Sequence, residues 1–165
     1  MDVSLRQVPE TEAEALAALL DAHLLELGQY ERSAGSGGYP YLPLYWRERS
    51  RTPLFIELAG SIVGFVLVRE IRDGVREIAE FFVGRDHRRQ GIGSAAFAAA
   101  VDLWPGQWRL SYLSQNALAS RFWSECLQGL ATGPVHVDEV PSEDGLRVWR
   151  HFTSSVGRSG PVRPG

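Results

Sequence analysis

Residues 81–103 restrict the possible folds more than any other part of the chain. Phe81-Phe82-Val83 reads as the end of a strand and Gly84-Arg85-Asp86-His87 as a loop. Arg88-Arg89-Gln90-Gly91-Ile92-Gly93 then opens a helix that continues through an alanine-rich stretch to about Leu103, where Pro105-Gly106 stops it. The first turn of a helix carries backbone N–H groups with no intrahelical partner and the positive end of the helix dipole. Glycines at 91 and 93 let the oxygens of a ligand approach those N–H groups with no Cβ in the way. Such a place suits a pyrophosphate, and Arg85, Arg88 and Arg89 add positive charge at its rim.

A glycine pair by itself is more often a plain turn ahead of a helix. Gly91-Ile92-Gly93-Ser94-Ala95-Ala96 also fits the G-x-G-x-x-A of a dinucleotide site. That motif needs its strand to run almost directly into the first glycine, with an acidic residue about 20 positions on. Here seven residues separate Val83 from Gly91, and Ser111-Tyr112 stand where the carboxylate should be. Context therefore rules out the dinucleotide reading.

The rest of the chain sets the surroundings. Residues 4–8 suit a short strand, and residues 11–28 a helix, with Leu16, Leu19, Leu20, Leu24 and Leu27 at helical spacing. Thr11 followed by Glu14 has the form of a capping box. Residues 33–38 are a flexible loop by composition, and residues 42–49 a short amphipathic piece. Two apolar runs, 54–58 and 62–68, flank Ala59-Gly60-Ser61 as a hairpin would, and Asp73-Gly74 is a strong turn signal before a strand over 75–83. Trp108, Leu110 and Tyr112 alternate with Arg109 and Ser111 as in a half-buried strand. A helix over 117–127 and strands near 134–140 and 145–152 complete the order. The fold class is mixed α/β with one continuous sheet. Residues 1–155 form its single domain, and 156–165, rich in Gly, Pro, Ser and Arg, a disordered tail.

Composition excludes several function classes. A chain of 165 residues with 44% hydrophobic and 22% charged content can bury a core of its own. A net charge of −3 argues against a general nucleic-acid binder. No apolar run approaches the ~18 residues of a membrane span, and the N-terminus lacks a signal-peptide pattern. The single cysteine, Cys126, cannot form an intrachain disulfide; it reads as a packed thiol. These features point to a soluble cytoplasmic protein. His23, His87, His136 and His151 show no metal-ligand spacing, so no metal is expected.

Arg88-x-x-Gly91-x-Gly93, between a strand and a helix, resembles motif A of the GNAT acetyltransferase superfamily. Asn116-x-x-Ala119-x-x-Phe122-Trp123 is similar to that family's motif B. The resemblance covers about residues 54–127. It implies a mostly antiparallel, twisted central sheet whose central strands splay apart, flanked by helices, with the pantetheine arm of acetyl-CoA in the gap. It further implies that Phe82 and Val83 contact the acetyl-pantetheine through their main chain. Arg88, Arg89, Gln90, Gly91, Ile92, Gly93 and Ser94 would hold the pyrophosphate. Asn116 would bond the pantetheine arm, beside which Phe122 would pack. Read from the residues alone, Asn116 is equally a helix cap and Phe122 a core ring.

The implied chemistry is direct attack of an amine on the thioester, with the Val83 N–H facing the developing oxyanion. Glu77 and Glu80 are the candidate bases, and either could instead be a solvated charge. Three residues apart, they would face opposite sides of a regular strand, unless a bulge intervenes. Where many relatives place an acidic tyrosine this chain has Trp123, whose indole is no practical acid. Tyr112 is the substitute candidate, with a core role as its alternative. The leading function is an acetyl-CoA-dependent N-acetyltransferase acting on a small-molecule or peptide amine. A non-catalytic acyl-CoA-sensing module is the runner-up, and an O-acyltransferase or a user of longer acyl groups a third reading. The aromatic set Tyr30, Tyr39, Tyr41, Tyr45 and Trp46 would line an acceptor pocket or a homodimer contact, although ordinary packing accounts for most such clusters.

Overall fold

The computed structural model describes residues 1–31 and 38–155. Most of the flexible loop expected over 33–38, and the whole tail expected over 156–165, lie outside the described residues. The chain opens with β1 (Val3–Gln7) and, after a 3-10 turn over Glu10–Glu12, forms α1 (Ala13–Leu27). The expected capping box is not made. Glu12 occupies the N-cap without a side-chain cap bond, because its carboxylate is drawn to Arg6 of β1 at 2.7 and 3.1 Å. A four-residue α2 (Leu44–Arg47) precedes the meander of β2 (Arg51–Leu58), β3 (Ser61–Arg72) and β4 (Val75–Val83). Strands β2 and β3 outrun the apolar segments that announced them. Their ladders continue through Arg51, Arg69 and Arg72, since backbone pairing does not need apolar side chains. Then come α3 (Ile92–Leu103), β5 (Gly106–Leu113), α4 (Ala117–Leu130), and the hairpin of β6 (His136–Ser142) and β7 (Gly145–Ser154).

The seven strands of the described residues join one sheet in the order β1-β2-β3-β4-β5-β7-β6. Every pairing is antiparallel except that of β4 with β5, which are connected through α3 and run parallel. This mixed α/β architecture is the one expected. One face carries α3 and α4 over a large core that includes Val66, Ile78, Phe97, Trp108, Leu110 and Trp123. The other carries α1 and α2 over Leu16, Leu20, Tyr45, Phe55, Phe65, Leu67 and Phe82. Edge strand β6 is exposed at every residue, and Asp138, Glu139 and Pro141 blunt it against pairing with another chain.

Strand β4 has two irregularities. Its parallel pairing with β5 covers only Val75, Arg76 and Glu77, opposite Gln107, Trp108 and Arg109. Beyond that point β4 pairs only with β3, and β5 only with β7. The two central strands therefore part, as a splayed sheet requires. In addition, Leu67 pairs with Glu80 and Val68 with Ile78, so Ala79 is an extra residue, a β-bulge.

Candidate active site

The open end of β4 presents main-chain groups to the gap. Gly84 donates to the Val63 carbonyl at 2.8 Å, which makes 63 and 84 a hydrogen-bonded pair and 64 and 83 a non-hydrogen-bonded one. The N–H of Val83 thus points away from β3, toward the side that β5 has left. The Val83 carbonyl already accepts from Arg88 Nε at 2.7 Å. Its N–H is then the more available of the two groups. Opposite Val83 stands Gly64, where any Cβ would collide with the Phe82 carbonyl oxygen. The strand tip needs a glycine there.

The loop after β4 turns through two left-handed residues, Arg89 at φ 60° and Gly91 at φ 80°, and Gly91 is the N-cap of α3. Ile92 is 1% exposed and anchors the helix start in the core, so only its main chain could meet a ligand. Gln90 donates to the Asp86 carbonyl at 3.0 Å and stiffens the loop. Gly93 has a packing reason as well as an access reason. A Cβ there would lie 3.0 Å from the Phe122 ring and 3.7 Å from Val83. Ser94 is exposed on the first turn. The arginines divide. Arg85 and Arg88 both bind Glu26 of α1, at 2.9 and 2.7 Å, whereas exposed Arg89 has no partner among the described residues. Burial would push the Glu26 carboxyl up, but the hydrogen bonds from Arg85 and Arg88 outweigh it and hold the group below the usual glutamate range.

On α4, Asn116 is a true cap, its Oδ1 accepting from the Ala119 N–H at 3.1 Å; its side-chain amide N–H groups remain available. Phe122 lies against Phe81 and Trp123, at centroid distances of 5.6 and 4.7 Å. Trp123 is buried edge-on among Phe81, Phe97 and Phe122, and fills core volume. Cys126 is also buried, facing Ser94 Oγ at 3.6 Å; burial pushes its thiol up, which suits packing and not nucleophilic work. Tyr112 is in the same core, and its hydroxyl accepts from Arg150 at 3.0 and 3.1 Å.

Both candidate carboxylates face the other side of the sheet. Glu80 is opposite Leu67 and Glu77 is opposite Arg69, two residues along β3, so the bulge at Ala79 puts them on one face. Their environments differ sharply. Glu77, with a side chain 7% exposed, has one oxygen on Arg69 Nε at 2.7 Å and the other on Arg109 Nε at 2.6 Å. Glu80 has a single partner, His23 Nε2 of α1, at 2.8 Å on Oε2, and its Oε1 has no donor among the described residues. His23 is held between the rings of Phe65 and Phe82. Around Glu80 the α1–β2 connection gathers Tyr39, Tyr45 and Trp46 on the apolar cluster of that face. Burial pushes the Tyr39 hydroxyl far up, and the nearby Glu80 charge adds to it.

Sequence reasoning did not find His23 or Glu26. They lie 57 and 62 residues from Glu80 and Arg88. One signal for His23 was present: it interrupts the leucine stripe of α1, where a buried polar group needs a partner.

The model of the acetyltransferase (GNAT) family matches residues 19–126, about two thirds of the chain. No curated protein matches the sequence. Among solved structures, an AAC(6')-Ib aminoglycoside acetyltransferase in complex with ribostamycin and coenzyme A superposes with a TM-score of 0.68. It is 21% identical and covers 93% of this chain and 94% of its own. A spermidine N-acetyltransferase from Vibrio cholerae with CoA and spermine gives a TM-score of 0.68 at 15% identity, covering 92% of this chain and 95% of that one. A GNAT-family acetyltransferase from Streptococcus pneumoniae gives 0.65 at 17% identity, covering 94% and 100%. At these identities the likeness shows the fold, while the match to the family model shows descent: the chain belongs to the GNAT acetyltransferase family.

Proposed function

We propose that the protein is an N-acetyltransferase that moves the acetyl group of acetyl-CoA to an amine, with residues 1–155 as the working unit. The observation that carries this reading is the parting of β4 and β5 beside the N-terminus of α3, which leaves a cleft edged by main-chain donors. The N–H groups at the start of α3 and Arg89, unpaired among the described residues, would hold the pyrophosphate; Arg88 would serve indirectly, by fixing the Val83 carbonyl and the loop. Asn116 would reach the pantetheine arm with its amide, and Phe122 would wall it. We place the reaction in the cytoplasm, which the unbridged Cys126 suits.

In this reading Glu80 takes the proton. Among the described residues it has a free oxygen, beside the aromatic set of the α1–β2 connection, whereas both oxygens of Glu77 are occupied. The amine nitrogen bonds to the thioester carbon as its C–S bond breaks, and the Val83 N–H donates to the carbonyl oxygen as charge develops there. The sulfur leaves as thiolate, whose pKa is low enough to need no strong acid. Tyr112, held by Arg150 on the opposite face from Glu80, then has a packing role.

Thermal shift and CoA release test this together. Acetyl-CoA should raise the melting temperature and NAD should not, since only a ligand of the folded state stabilises it; equal stabilisation by both would count against the site. Ser94→Glu is the sharper variant. A carboxylate in the first helical turn favours the helix but repels a pyrophosphate. Loss of acetyl-CoA binding at an equal or higher melting temperature is expected. Undiminished binding would move the pyrophosphate elsewhere.

A further inference from the structure

The face of the sheet that carries Glu80 also carries a row of arginines. Arg51 of β2 is opposite Arg69 of β3, Arg69 is opposite Glu77 of β4, and Glu77 is opposite Arg109 of β5. Residues directly opposite share a face, so the four side chains form one line across the strands. The three arginines border a polar cavity of about 400 Å³, whose lining also includes Glu48, Ser50, Glu70 and Ile71.

The charges of this line do not cancel. Glu77 is shared between Arg69 and Arg109, Glu48 pairs with Arg51 and Glu70 with Arg76. Counting Arg76 with its partner Glu70, four arginines meet three glutamates among the described residues, which leaves one positive charge. The surplus is reachable, because the side chains of Arg69 and Arg109 are 35% and 26% exposed while the shared carboxylate is 7% exposed. The row also adjoins the aromatic set around Glu80. Tyr45 is only 3% exposed, and the Arg51 guanidinium lies over its ring at 5.5 Å. Burial pushes its hydroxyl up, Arg51 and Tyr39 beside it pull it back, and the Glu80 charge raises it again, so this residue borders both the positive row and the negative carboxylate.

Resting on the reading of Glu80 as base, we propose that the acceptor is a zwitterion, a primary amine carrying a carboxylate about 7 Å from its nitrogen, two register steps along the strand. The amine goes to Glu80 and the carboxylate to the row of Arg51, Arg69 and Arg109. A molecule with a second ammonium at that distance meets the surplus positive charge and is disfavoured. Polycationic acceptors such as the spermine bound to the Vibrio cholerae structure are then poor substrates here.

Three amines of equal chain length isolate the far end: 5-aminopentanoate, pentylamine and 1,5-diaminopentane. Transfer is measured as kcat/KM at saturating acetyl-CoA, and binding by calorimetry on the CoA complex. The expected order is aminopentanoate at least about tenfold above pentylamine, with the diamine lowest. In Arg51→Gln and Arg69→Gln the ratio of the first two should fall to about threefold or less. Because the ratio is taken within one variant, partial loss of folded protein cancels. Arg51, whose partner Glu48 is exposed, keeps the test usable if Arg69→Gln does not fold. The inference is overturned by equal use of all three amines, by preference for the diamine, by an unchanged ratio in Arg51→Gln, or by neither transfer nor binding of any of the three. In each of those cases, bound acetyl-CoA would leave the acetyltransferase reading standing. Failure of acetyl-CoA itself to bind would instead remove that reading.

Discussion

The two ends of β4 are built from similar residues and do different things. At residues 75–77 the strand is paired on both sides, and the carboxylate there is closed off by Arg69 and Arg109. From residue 78 to 83 the same strand keeps only β3, and among the described residues its carboxylate, Glu80, meets a single histidine and keeps one oxygen open. Two glutamates three positions apart, on one face, thus become a structural clamp and a candidate base. The difference comes from where the neighbouring strand departs, not from the residue type. It also suggests a division of labour, in which the closed end holds β4 and β5 together so that the other end can stay apart.

The largest effect should come from Glu80. Glu80→Gln keeps the shape and removes the basic oxygen, so kcat should fall by about 10²–10⁴-fold while acetyl-CoA affinity stays the same. If Glu77→Gln showed that collapse at unchanged stability, and Glu80→Gln did not, the two ends of β4 would have to exchange roles. Glu77→Gln should act on stability. It leaves two guanidinium groups around a neutral amide, and their partial exposure lets water take up part of the loss. Urea denaturation should read a cost of about 2–3 kcal/mol, and retained stability would show that the clamp does not hold the strands.

Trp123→Tyr addresses the core that supports the open end from the other face. The smaller ring leaves space among Phe81, Phe97 and Phe122, for a cost of about 1–2 kcal/mol with kcat preserved. A rise in kcat would mean that the reaction lacks an acid which the new hydroxyl supplies. The smallest effect concerns Glu26, which ties α1 to the loop at the open end. Its pKa is depressed in the folded state. Its contribution is therefore complete above the ordinary glutamate range and lost as pH falls through the depressed value. The melting-temperature gap between wild type and Glu26→Gln should be greatest near pH 7 and close on acidification. Because Arg85 is 76% exposed, solvent screening limits the gap to no more than about 1 kcal/mol. A gap that widened at low pH would contradict the ion-pair assignment.

Much of the frame was legible in the residues. Ala59-Gly60 and Asp73-Gly74 marked two hairpins because their turns need positive φ, as Ala59, Gly60 and Gly74 show. Strand 75–83 and the start of α3 were marked by an apolar run and a glycine-rich helix opening. These are local signals, set by steric preference and hydrophobic period within a few residues. The capping box at Thr11 failed because the 3-10 turn over Glu10–Glu12 moves the N-cap on to Glu12, whose carboxylate is held by Arg6 of another element.

By itself, the sequence determined the order of elements, the strand-loop-helix junction at 83–93 and the presence of two carboxylates just before it. Only the tertiary structure decided which carboxylate stays open. That outcome depends on a one-residue bulge at Ala79, on β5 leaving after Arg109, and on His23 and Glu26 arriving from α1. A bulge reverses the facing of every later side chain without any mark in hydrophobic period. Partners some sixty residues away are brought together by the packing of α1 on the sheet, a global property that no local window of sequence contains.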